Sequence, residues 1–106
     1  MERLTEETEA KLRQEHGDLV VAKTKHGDMA FRTPTDTEHE DFQETLTKPK
    51  SNKSAACRQY CLCAVVFPKR DAAVTIFEKL PALPAQLADN LSDLAGGNAE
   101  ITVKKG

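Results

Sequence analysis

Leucine stands at positions 83, 87, 91 and 94, at the intervals of four and three that align one face of a helix. Pro84 suits the first turn of that helix, and Gly96-Gly97 supplies its C-terminal stop. Ala73, Ile76, Phe77 and Leu80 repeat the spacing over a shorter helix opened by Asp71, and Leu80-Pro81-Ala82-Leu83-Pro84 turns the corner between the two. Residues 54–67, SAACRQYCLCAVVF, have the most continuous apolar character and carry charge only at Arg58. They predict the central, most buried helix, with Tyr60, Cys61 and Ala64 facing inward and Pro68 ending it. Val65-Val66-Phe67 also reads as a strand. Phe42 and Leu46 mark a further helix, and Thr35 with Glu38 fits the capping box that opens it.

The pattern changes between residues 19 and 34. Leu19-Val20-Val21-Ala22 is rich in strand formers, Lys25-His26-Gly27-Asp28 is a turn centred on a glycine, and Met29-Ala30-Phe31-Arg32 is the return strand. Pro34 stops this hairpin because it has no N–H for the ladder. Residues 3–15 predict a weak amphipathic helix, with Leu4, Thr8 and Leu12 on one side and His16-Gly17 as its stop. Thr47–Lys53 reads as an exposed loop, and Glu100–Lys104 alternates as a short strand that adds to the hairpin, stays loose or pairs with another chain. The expected fold is one α+β domain, an N-terminal β-hairpin packed on about four to five short helices. In one arrangement the C-terminal strand joins the hairpin. Residues 1–17 form a loosely docked helix, 18–97 the core, and 98–106 a strand or tail.

Composition sharpens this in three ways. A chain of 106 residues with 39% hydrophobic and 30% charged side chains is a single folded domain. Much of the apolar share is alanine, with four Phe, one Tyr and no Trp, so the core is lean. That leaves room for help from a partner or from self-association. A net charge of −2 gives no general attraction to nucleic acid. The charge is uneven, however. Asp36, Glu38, Glu40, Asp41 and Glu44 form an acidic run, and Lys48, Lys50, Lys53 and Arg58 follow as a basic one. These are solvated faces on either side of a loop, or a dipolar surface that orients a protein partner. No apolar run approaches the roughly 18 residues a membrane span needs. The acidic start lacks a signal core and the three cysteines are an odd number, which points to a cytoplasmic, reduced protein.

All three cysteines lie in CRQYCLC, residues 57–63. On a helix Cys57 and Cys61 share a face, while Cys63 points about 120° from Cys57. Three sulfurs so placed do not converge on one metal, and His16, His26 and His39 have no paired spacing to complete a site. Cys61 and Cys63 read as packing. Cys57, beside Arg58, has the best prospect of a lowered thiol pKa. No nucleophile elbow, phosphate loop or zinc-protease motif is present, and Glu38-His39 reads as cap and solvated face rather than acid–base chemistry. The sequence therefore predicts no catalytic residue, cofactor or metal. The leucine series from Leu80 to Leu94 is core by default; the functional alternative is a groove for a partner helix.

The stretch G-D-M-A-F-R-T-P-T-D-T-E-H-E-D-F resembles small bacteriophage and prophage tail proteins of the tail-assembly chaperone kind. Gly27, Phe31, Arg32, Pro34, Thr35, Glu38 and Phe42 fill the places of that pattern. Cys63-Ala64-Val65-Val66-Phe67-Pro68 looks like the family's buried helix, and Leu80–Pro84 with Leu94–Gly97 like its last one. The resemblance spans residues 18–97. It implies binding rather than catalysis: a protein of the host cytoplasm that keeps the tape-measure protein, or another tail protein, soluble during assembly. Phe42, Leu46, Leu87, Leu91 and Leu94 are the expected partner-binding residues, and Arg32, Pro34, Thr35 and Glu38 are architectural. The alternatives are a joining or completion subunit that uses its last strand, and a small regulatory protein that acts through its acidic face. An enzyme built around Cys57 comes last.

Overall fold

A computed structural model of the chain describes residues 3–96 together with Lys104. The order of elements is α1 (Glu6–His16), β1 (Leu19–Thr24), β2 (Gly27–Arg32), α2 (Asp36–Thr47), α3 (Lys53–Ala64), β3 (Val65–Phe67), α4 (Arg70–Lys79) and α5 (Leu83–Ala95). This is an α+β fold in which a three-stranded antiparallel sheet, ordered β1-β2-β3, packs with the helices.

Thr5 caps α1 by accepting the Thr8 N–H, and Gly17 ends it at φ 81°, a left-handed conformation that glycine adopts without steric cost. No residue of α1 is buried. Its anchor lies just before it. Leu4 is buried, its backbone N–H donates to Asp28 Oδ2 at 2.8 Å, and Arg3 pairs with Asp28 Oδ1 at 3.0 Å. The helix itself contributes only half-buried Thr8 and Leu12 on the expected side.

The hairpin is longer and its turn tighter than the sequence suggests. Thr24 pairs with Gly27, so the turn is Lys25-His26 and the glycine opens β2 at φ 136°. The Thr24 hydroxyl closes the turn, donating to the Gly27 carbonyl at 2.6 Å and accepting the His26 N–H at 3.1 Å. As the middle strand, β2 is buried from Gly27 through Phe31, with Met29 and Phe31 in the main core.

Val65–Phe67 is a strand, the second of its two sequence readings, and it supplies the third position of the sheet. Phe67 pairs with Ala30 and Val65 with Phe31 across an irregularity in β2. The helix before it stops at Ala64 for two physical reasons. Two consecutive valines favour the extended chain, and Arg32 Nη2 donates to the Cys63 carbonyl at 2.8 Å, satisfying an acceptor at the helix end. Of the C-terminal strand expected at Glu100–Lys104, residues 100–103 fall outside the described residues, as does Gly97.

The capping box at α2 is complete: Glu38 N–H donates to Thr35 Oγ1, and Thr35 N–H to Glu38 Oε1. Asn52 caps α3 by accepting the Ala55 N–H. Asp71 does not cap α4; Lys69 is its N-cap, and Asp71 sits in the first turn, where a carboxylate is stabilised by the positive end of the helix dipole. Pro84 occupies the first turn of α5, and Gly96 caps that helix at an ordinary φ of −82°. Helix α3 is the hub, touching α2, α4, α5 and β2. Tyr60, Cys61 and Ala64 face inward as the sequence predicts, and with Phe31, Phe77, Leu87 and Leu91 they build the core.

Candidate functional site

A largely apolar concavity lies between α2 and α3. Its cause is a mismatch of side-chain size. Phe42 reaches from α2 to stack on Tyr60 of α3, and Ala55 and Ala56, which share the lining, offer only methyl groups. The space left is a cleft of about 380 Å³. Phe42 and Tyr60 stack in its floor with ring centroids 4.1 Å apart and planes 1° from parallel. Gln59 and Cys63 continue the α3 wall, and Asp41 and Thr45 the α2 wall.

The floor is fixed from behind. Tyr60 is 3% exposed, and its hydroxyl lies 3.0 Å from His39 Nδ1. Burial pushes the Tyr60 phenol above its ordinary pKa, so the ring stays neutral. One cleft acid is already committed. Arg32 grips Glu38 through two bonds of 2.8 Å, and with the Thr35 N–H holds that carboxyl down at about 2. Asp41 differs: it is exposed, and among the described residues no side chain pairs with its carboxylate.

The expected binding residues do not assemble into one surface. Phe42 lines the cleft, whereas Leu46 is half-buried against the core outside the lining. Leu87 and Leu91 are 4% and 0% exposed, because α5 lays that stripe onto α3, so neither presents a groove. Leu94 is half-buried near the end of α5. Leu80 and Leu83, at the other end of the series, line a shallow hollow of about 320 Å³ at the α4–α5 corner. The sequence does not single out Ala55, Ala56 or Gln59, and it places Asp41 only within the acidic run. The available signal was the paired alanines at a helix start, which meet an aromatic only once the helices pack.

Cys61 and Cys57 pack with the core, whereas Cys63, expected to pack, lines the cleft. Cys57, Cys61 and Cys63 are free; Cys61 is fully buried and its pKa is pushed up to about 12, chiefly by burial. Cys57 corrects its expectation. Its thiol is raised, by burial first and by the nearby Asp89 carboxylate second. Arg58 does not offset this; it is half-buried, and its Nε has no hydrogen-bond partner. Cys63 faces the cleft, within 3.7 Å of Gln59 Nε2. Among the described residues, no group of three or more His, Cys, Asp or Glu is placed to hold a metal ion.

The charge asymmetry survives folding. Asp36, Glu40, Asp41 and Glu44 are exposed on α2, and Lys48, Lys50 and Lys53 are exposed on the following loop and the start of α3. Among the described residues, no helix is long and apolar enough to cross a membrane. Comparison with protein-family models, with characterised proteins and with solved structures finds no match for the chain.

Proposed function

We propose that the chain is a binding protein of the phage tail-assembly chaperone kind, acting in the host cytoplasm to keep a tape-measure protein soluble. The observation that carries the mode of action is the α2–α3 cleft. Its rigid aromatic floor and small-residue wall form a preformed seat for apolar side chains of a partner helix. The resemblance over residues 18–97 supports the choice of partner. A lean core with a preformed apolar cleft suits transient shielding, in which tube subunits later compete for the same helix faces. Neither the free thiols nor the acids of the cleft need do chemistry in this role.

Co-expression with a tape-measure protein tests the reading. The soluble fraction of that protein is expected to rise severalfold when this chain is present, and no rise would remove the proposed role. The exposed acids of α2 favour a second reading, a regulatory protein acting on a basic target. Such a complex would dissociate with modest salt, whereas one seated in an apolar cleft would persist.

A further inference from the structure

The cleft carries information about which helix it accepts. Among its lining residues there are two carboxylates, Glu38 and Asp41, and no lysine or arginine. Glu38 is neutralised within the fold by Arg32 and its capping bonds, so it offers little to a ligand. Asp41 stands one helical residue from Phe42, exposed beside the aromatic floor and unpaired among the described residues. Neighbouring Glu40 and Glu44 add to the negative potential, and α2 contains no lysine or arginine to offset it. A volume of about 380 Å³ lies at the small end of ligand pockets, roughly 300–1000 Å³, which suits one or two apolar side chains rather than a whole helix face.

We propose that the α2–α3 cleft selects a helical segment carrying an apolar anchor flanked by lysine or arginine, with Asp41 reading the basic residue. This rests on the cleft being the partner-binding surface, and it adds the chemistry of the partner. The apolar anchor supplies most of the affinity by leaving water against Phe42, Ala55 and Tyr60. The flanking cation fixes register and excludes acidic helices, since a carboxylate brought beside Asp41 meets like charge without compensation. An exposed pair of this kind changes affinity modestly, so discrimination between a basic and an acidic flank is roughly threefold to tenfold.

Two blocked helical peptides provide the probe, alike in leucines at i and i+4 but bearing either lysine or glutamate beside them. Titration into the whole protein at low salt, followed by amide chemical shifts, is expected to show the lysine peptide binding threefold to tenfold more tightly, with shifts centred on Phe42, Ala55 and Gln59. Asp41→Lys is expected to abolish or reverse that preference, and Ala55→Trp, which fills the cleft from an exposed position, to weaken both peptides. Thermal melts confirm that both variants remain folded. Equal affinities of the two peptides, or a preference unmoved by Asp41→Lys, would overturn the charge selection while leaving the cleft as the binding surface. If Ala55→Trp leaves both affinities unchanged, or neither peptide binds at millimolar concentration, the cleft reading falls with it.

Discussion

Arg32 and Glu38 meet through two parallel hydrogen bonds of 2.8 Å, and the same guanidinium reaches the Cys63 carbonyl. One side chain from β2 thereby ties the start of α2 to the end of α3, the two helices that wall the cleft. Glu38 also completes the capping box with Thr35. The pair links the two walls of the cleft, which Glu38 itself lines.

Acid should loosen this junction. The Glu38 carboxyl titrates at about 2 in the fold against an ordinary 4.5, because Arg32 and the Thr35 N–H stabilise its charged form. Its contribution is therefore complete above about pH 5 and is lost as pH falls toward 2. Glu38→Gln is expected to lower stability by about 2 kcal/mol at neutral pH and to flatten the acid limb of the stability profile. Denaturant melts between pH 7 and pH 3 measure both; an unchanged acid limb would show that Glu38 is not the titrating group.

Thr35 supplies the other half of the box. Thr35→Ala is expected to cost about 1 kcal/mol through the lost bond to the Glu38 N–H. A cost well below that in urea melts would mean that water replaces the hydroxyl at no loss.

The N-terminal arm has its own fastening. Asp28 is 4% exposed, and its pKa lies below the usual 3.8, first because it accepts the Leu4 N–H, with Arg3 adding to the effect. The anchor is present at neutral pH and weakens as pH falls below about 4. Asp28→Asn should remove the ion pair and speed hydrogen exchange at Leu4 while leaving the α3 amides protected. Uniform loss of protection would instead show that the arm is integral to the core.

Two leucines of one stripe should separate sharply. Leu91→Ala is expected to cost about 2–5 kcal/mol, as for a fully buried aliphatic side chain. Half-buried Leu94→Ala should cost about 1 kcal/mol or less. Equal costs would contradict the packing of α5 described above.

Much of the fold is legible in the sequence because local chemistry and tertiary context agree. The capping box, the proline at the start of α5 and the apolar run of α3 each specify their element without help from distant residues. Where a distant contact decides, the sequence leaves two readings open or misplaces a boundary. Val65–Phe67 becomes a strand because β2 offers it an edge and Arg32 closes the helix before it. The turn at Lys25-His26 depends on one Thr24 hydroxyl serving two backbone groups. The leucine stripe showed that α5 is amphipathic but not whether its face meets α3 or a partner. The cleft was the least legible feature. It is defined by the side chains that Ala55 and Ala56 lack opposite Phe42, and periodicity marks only the side chains that are present. The raised Cys57 thiol likewise follows from tertiary packing, first through burial and second through Asp89 on another helix.

The central claim is that the α2–α3 cleft is the surface that shields a partner. Its most direct test is the soluble fraction of a co-expressed tape-measure protein with the wild-type chain and with Ala55→Trp, both present as folded protein at equal levels. The wild-type chain should raise that fraction and co-purify with the partner, and the cleft-filled variant should do neither. Equal rescue by Ala55→Trp would place the binding surface elsewhere.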